Sequence, residues 1–171
     1  RNFIVPSGSS VHETAFNGCN GYSFNKSIIN ENGTLNGTIY TVDGWKFSLD
    51  SKWKTAAVST YNGSATEVLI PSSVIVNGET YSVNALYDES FYLNTRITAV
   101  SIPSTISRIS GGAFYGCRNL TTIRIAANTN LIYIASGTFT NCSSLKTFSV
   151  PKTVTSIESN AFKGCTSLAS I

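Results

Sequence analysis

Apolar residues in the C-terminal half of the chain fall into columns rather than into helical stripes. Aligned on Phe114, Phe139 and Phe162, the segments Ala113-Phe114-Tyr115-Gly116-Cys117, Thr138-Phe139-Thr140-Asn141-Cys142 and Ala161-Phe162-Lys163-Gly164-Cys165 repeat at intervals of 25 and 23 residues. After each Phe come Leu120, Leu145 and Leu168, then Ile123, Phe148 and Ile171, then Ile125 and Val150. Before each Phe stand Ile109, Ile134 and Ile157, and further back Ile106, Leu131 and Val154. A period in the low twenties marks a solenoid, in which each coil buries its apolar side only against its neighbours. An upstream copy runs through Val83, Leu86, Phe91, Ile97, Val100 and Ile102, with Leu93 and Asn94 in the Gly and Cys columns, so its turn is expected to differ. A fifth, partial copy opens the chain as Val5-Pro6, Val11, Ala15, Phe16, Gly18 and Cys19.

Within a coil, Val100 and Ile102 alternate with Ser101, and Ile123 and Ile125 with Arg124, the period of a strand with one face inward. Stacked copies predict a parallel sheet. Pro71, Pro103 and Pro151 follow that strand and end its ladder, because proline lacks the donor and fixes φ. The residue before each Cys is Gly or Asn, the types that tolerate left-handed backbone. A tight turn is expected there, ending a single helical or 3₁₀ turn around the Ala-Phe pair. Ile171 falls inside a strand pattern, so the array is expected to continue beyond it.

Residues 21–60 break the period. Thr38 to Val42 and Trp45 to Leu49 flank Asp43-Gly44, a strong hairpin signal, and Asn77-Gly78 predicts a second hairpin inside a recognisable coil. The stretch from about 37 to 83 therefore reads as antiparallel strands capping or flanking the solenoid. The Asn-, Gly- and Ser-rich segment Asn20 to Asn36 reads as a loop or linker. The expected division is a partial repeat at 1–20, a loop and hairpin insertion or cap at 21–60, and repeats over 61–171.

Composition narrows the function classes. A net charge of +3 with 12% charged residues does not suggest a nucleic-acid or membrane-surface partner, and no apolar run approaches the ~18 residues of a membrane span. Ser, Thr and Asn supply roughly a third of the 171 residues, a polar but weakly charged make-up common in exported proteins. Methionine is absent and residue 1 is Arg, so the chain is expected to be a mature or excised segment.

The phrases from Val100 to Cys117 and from Phe148 to Cys165 resemble the BspA-type leucine-rich repeat, which reads approximately I-x-I-P-x-x-V-x-x-I-x-x-x-A-F-x-G-C. The resemblance covers about 65–171 well and residues 3–20 loosely. It implies a β-rich, right-handed leucine-rich-repeat solenoid with short helical or 3₁₀ turns, to which the hairpin cap is added. It further implies a secreted or cell-surface protein of bacterial or protist origin, with adhesion and host-protein binding as its expected role and no enzymatic activity.

Candidate chemistry is sparse. Cys117, Cys142 and Cys165 share one column, so their α-carbons are expected ~5 Å apart, near bridging range. Three cannot all pair, and parallel inward side chains bridge poorly, so buried thiols are expected, with a disulfide between two of them left open. No CxxC and no second ligand type accompany them, and no metal or cofactor is expected. His12 beside Glu13 lacks a partnered nucleophile, Asp88-Glu89 reads as a solvated loop rather than a glycosidase pair, and Gly111-Gly112 has no phosphate-loop lysine.

Binding is the better-supported chemistry. The outward strand positions, expected to line a concave face, are Glu67 and Leu69, Ala99 and Ser101, Thr122 and Arg124, and Thr147 and Ser149. That face is small and hydroxylic, with Arg124 its evident anchor and a plain solvated surface its simplest reading. Trp45, Lys46, Trp53 and Lys54, with Lys52 and Tyr61, form the one aromatic and basic concentration. It is either part of the cap's core or a surface for a glycan or an acidic partner. The expectation is a non-catalytic protein-binding module, with a structural spacer or a carbohydrate-binding accessory domain as alternatives.

Overall fold

The computed structural model describes residues 38–171. The partial copy at 1–20, with His12, Glu13 and Cys19, and the loop at Asn20 to Asn36 lie outside the described residues. Eleven strands follow one another: β1 (Thr38–Val42), β2 (Trp45–Asp50), β3 (Thr55–Tyr61), β4 (Glu67–Leu69), β5 (Ser73–Val76), β6 (Glu79–Leu86), β7 (Ala99–Ile102), β8 (Arg108–Ile109), β9 (Thr122–Ile125), β10 (Tyr133–Ile134) and β11 (Ser156–Ile157).

Both hairpins form where the turn dipeptides stand. Asp43 and Gly44 have φ of 47° and 80°, and Asn77 and Gly78 have 53° and 80°, the paired positive values of a tight two-residue turn that matches strand twist. The first sheet runs β1-β2-β3-β6-β5, and β8 pairs with the last residues of β6, beyond the segment paired to β5. Three of its pairings are antiparallel, but β3 pairs with β6 in parallel, as does β8. The expectation of antiparallel strands throughout 37–83 fails at β3. Its partner β6 already belongs to the first coil and takes that coil's direction, so the sheet crosses the boundary expected near residue 60.

The second sheet, β4-β7-β9, is the parallel strand column of the repeat. Glu67, Ala99 and Thr122 are in register, as are Leu69, Ser101 and Arg124. Single bridges carry the column on from Thr122 to Thr147 and Ser170. The Ile109, Ile134 and Ile157 column also forms short parallel strands, with β10 paired to β11. Between β8 and β10 this ladder is interrupted, where the 25-residue coil carries its extra residues between Ile125 and Leu131.

The phenylalanines form a spine. Phe91 and Phe114 stack at 4.9 Å, and Phe114–Phe139 and Phe139–Phe162 each at 5.3 Å, all within 15° of parallel. Phe91, Phe114 and Phe139 are fully buried. Trp45 and Tyr61 extend this stack into the cap, Trp45 lying 4.4 Å from Tyr61 and Tyr61 5.6 Å from Phe91.

No helix forms among the described residues, against the helical or 3₁₀ turn expected around the Ala-Phe pair. The hydrogen bonds explain this. The amides of Phe114 and Gly116 donate to Thr138 O and Thr140 O of the next coil (3.0 and 2.8 Å), so they are not available for local bonds. The alternate amides bond locally, Tyr115 N–H to Gly112 O and Cys117 N–H to Phe114 O, closing isolated turns. Left-handed residues also bracket each Phe. Gly116, Asn141 and Gly164 follow by two, with φ of 61–75°, and Glu89, Gly112, Gly137 and Asn160 precede by two, with φ of 59–75°.

The turn at Leu93 does not differ as expected. Leu93 has φ 53°, and its amide donates to Tyr115 O at 2.8 Å, as Gly116 donates to Thr140 O. The inter-coil bond imposes the conformation although a leucine lacks glycine's freedom there. Its side chain occupies the space over the bare α-carbon of Gly116. Asn94, in the Cys column, accepts from the amides of Arg96 and Ile97 instead.

The abundant hydroxyls have a structural job. Thr121 Oγ1 donates to Thr98 O at 2.9 Å, Ser107 Oγ to Asn84 O, Thr153 Oγ1 to Leu131 O and Thr155 Oγ1 to Ile132 O, each reaching back one coil. Except at Leu131 O, these carbonyls also accept a backbone amide of the next coil, so the hydroxyls add a second inter-coil bond beside the main-chain one.

Candidate functional site

The second sheet sets the geometry of the repeat face. Val68, Val100 and Ile123 point into the core, so alternation turns Glu67, Leu69, Ser101, Thr122 and Arg124 the other way. Thr147 and Ser149 continue the face and are exposed. Ala99 lies in the same row but is buried at 6%, held between Glu67 on β4 and Thr122 on β9. Leu69 is 74% exposed, and with Ser101 and Arg124 it forms one straight in-register row. An apolar end, a hydroxyl and a cation thus stand on adjacent strands, about 10 Å from end to end.

The second candidate region is not one patch. Trp45 is half-buried and packs on Tyr61, Phe47 and Phe91, so it belongs to the core. Trp53 is 69% exposed in the β2–β3 turn, at the other end of β2, with Lys52 Nζ 5.0 Å from its ring. The two tryptophans therefore make no common stacking platform. Lys46 is exposed on β2. Lys54 is 2.6 Å from Glu79, which also accepts from Tyr81. The Glu79 hydrogen bond holds Lys54 above its ordinary value, and Lys54 holds Glu79 below its own.

The cysteine column is built of free thiols. Cys117 Sγ donates to Phe91 O at 3.0 Å, Cys142 Sγ to Phe114 O and Cys165 Sγ to Phe139 O at 3.1 Å, each reaching the Phe carbonyl one coil back. The neighbouring Cys117 thiol and burial push Cys142 up, against an opposing effect of Cys165. Cys142 and burial push Cys165 up. These groups stay protonated and poorly nucleophilic. Asp88 and Glu89 are both exposed, and the described residues hold no group of three or more metal-ligating side chains.

Two aromatic features escaped the sequence reading. Tyr92 and Tyr115, both next to a spine Phe, stack at 5.3 Å on the outside of the coils. Tyr87, directly after β6, lies under the guanidinium of Arg108 at 5.5 Å. The shared position of Tyr92 and Tyr115 was a usable signal, whereas the pairing of Tyr87 with Arg108 depends on β6 meeting β8.

Comparison with protein families matches residues 84–171 to the family described as BspA type leucine rich repeat region (6 copies). Among solved structures, the chain is similar to a leucine rich cell surface protein from Faecalibacterium prausnitzii, with 31% identity over 76% of this chain and 35% of that one, and a TM-score of 0.68. It is also similar to leucine-rich repeat proteins from Bacteroides capillosus and Bacteroides ovatus. The former shows 27% identity over 70% of this chain and 87% of that one (TM-score 0.64). The latter shows 28% identity over 73% and 33% (TM-score 0.67). The chain spans only about a third of the Faecalibacterium protein's length. Comparison with curated proteins finds no match. No helix of the described residues is long and apolar enough to cross a membrane.

Proposed function

Because this chain belongs to the BspA-type leucine-rich-repeat family, we propose that it is a non-catalytic, cell-surface module that adheres to host or matrix proteins through the exposed face of its repeat sheet. The coils are read as the right-handed solenoid of that family, with residues 61–171 as the array and 21–60 as the inserted cap. The observation that carries the reading is the row Leu69, Ser101 and Arg124, in register across β4, β7 and β9. A leucine left 74% exposed on a strand offers apolar area for a partner to bury, and an exposed arginine is a favoured contact residue. Thr122, Thr147 and Ser149 supply hydroxyls and Glu67 a carboxylate, a polar surround suited to the rim of an interface.

The test is saturable binding to a panel of purified host matrix proteins. The chain is expected to bind at least one, and Leu69→Asp combined with Arg124→Glu to weaken it more than tenfold with an unchanged melting temperature. Absence of saturable binding to every member, or equal binding by the variant, would leave a spacer as the better reading.

A further inference from the structure

A groove of about 500 Å³ crosses the first sheet, away from the repeat face. Its floor follows an in-register row across four strands, Ser48 on β2, Ala57 on β3, Ala85 on β6 and Arg108 on β8. Three small residues in succession leave the trough, and Arg108 closes one end against Tyr87. At the other end the β2–β3 turn contributes Asp50 and Lys52. Both cations lie against aromatic rings, Arg108 on Tyr87 and Lys52 on Trp53, and neither forms an ion pair among the described residues. They are positioned but not neutralised. Asp50 already directs Oδ1 to the amides of Lys52 and Trp53, holding the turn. Asn84 and Thr55 add an amide and a hydroxyl to the lining.

We propose that this groove binds an acidic saccharide, an oligomer of uronate-type sugars with one carboxylate on Arg108 at one end and another on Lys52 at the other, while the rings between lie over the alanine floor. The volume lies within the ~300–1,000 Å³ of small-molecule sites. The planar guanidinium suits a carboxylate, and flat alanine surface beside amide and hydroxyl groups suits a sugar ring with its hydroxyl edge. A site with two cations and one partly committed acid selects against the neutral sugar of the same shape.

The experiment is calorimetric titration of the intact chain with trigalacturonate, neutral galactotriose and a glutamate tripeptide. Saturable 1:1 binding of trigalacturonate is expected, at least tenfold tighter than either control and weakening with salt. Arg108→Gln and Lys52→Gln are each expected to weaken it about tenfold, and Leu69→Asp to leave it unchanged. Equal binding of the acidic and neutral sugars, no saturable binding, or unchanged binding by both variants would overturn the proposal. Equal binding of the tripeptide would overturn its saccharide part. Binding to matrix proteins by the repeat face is independent of every one of these results.

Discussion

The cap and the coils reach a comparable degree of burial by different means. In the cap, each reversal is written locally: Asp43-Gly44 turns β1 into β2, and Asp50 holds the next turn through two amides. In the coils, apart from the β5–β6 hairpin, no reversal is closed by its own strands. The amide of Phe114 is satisfied by Thr138 O and that of Phe139 by Ala161 O, so each coil is incomplete until the next is in place. The lesson is one of reach. A fault in the cap disturbs one hairpin, whereas a fault in a coil removes the template for its neighbour.

The largest effect is expected from Phe114→Ala. Phe114 is fully buried between Phe91 and Phe139, and its loss is expected to cost about 3–5 kcal/mol in urea unfolding. Stability equal to the parent would show that the spine does not carry the array. Next in size is Gly44→Ala. A Cβ there would lie 2.5 Å from the Gly63 backbone at a φ of 80°, so about 2 kcal/mol is expected, with amide chemical-shift changes confined to β1, β2 and the Asn62–Gly63 segment packed on Gly44. Shift changes of equal size at Phe139 would erase the distinction between local and propagated faults.

The thiol column gives a smaller, pH-dependent effect. Cys142 and Cys165 are both raised above the ordinary thiol value of ~8.5, so the folded chain keeps protons that the unfolded chain releases. Their contribution is complete below that value and is lost as pH rises above it. Urea midpoints are expected to fall between pH 8 and pH 10, and less steeply in the Cys142→Ala, Cys165→Ala double variant. Identical slopes would contradict the protonated column. The smallest effect is at Leu93, where Asn tolerates a φ of 53° better, so Leu93→Asn is expected to stabilise by about 0.5–1 kcal/mol. A loss instead would mean that the cover Leu93 gives Gly116 outweighs the backbone strain.

What the sequence disclosed follows the same division. The hairpins were legible because Asp-Gly and Asn-Gly specify their turn without reference to anything distant, and the Phe, Cys and Ile columns were legible because they recur. The parallel pairing of β3 with β6 was not, since nothing within either strand names its partner. The left-handed column of Glu89, Gly112, Gly137 and Asn160 was hidden because its residue types vary while its backbone does not. Leu93 shows the same limit from the other side, a residue of the wrong type held in the common turn by the hydrogen bond to Tyr115. At the candidate sites, alternation placed Leu69, Ser101 and Arg124 on one face. Proximity in sequence wrongly joined Trp45 to Trp53, because a strand separates its ends by its full length.

Cap and coils are joined where Tyr61 N–H donates to Ser90 O at 2.8 Å and Ser90 Oγ donates to Val58 O, and they are expected to unfold as one cooperative stack. Native-state hydrogen exchange across a urea series tests this most directly. The amides of Tyr61, Phe91 and Phe139 are predicted to open with one free energy and one urea dependence. Exchange of Tyr61 through an opening that leaves Phe139 protected would contradict this and make the cap a separate unit resting on the array.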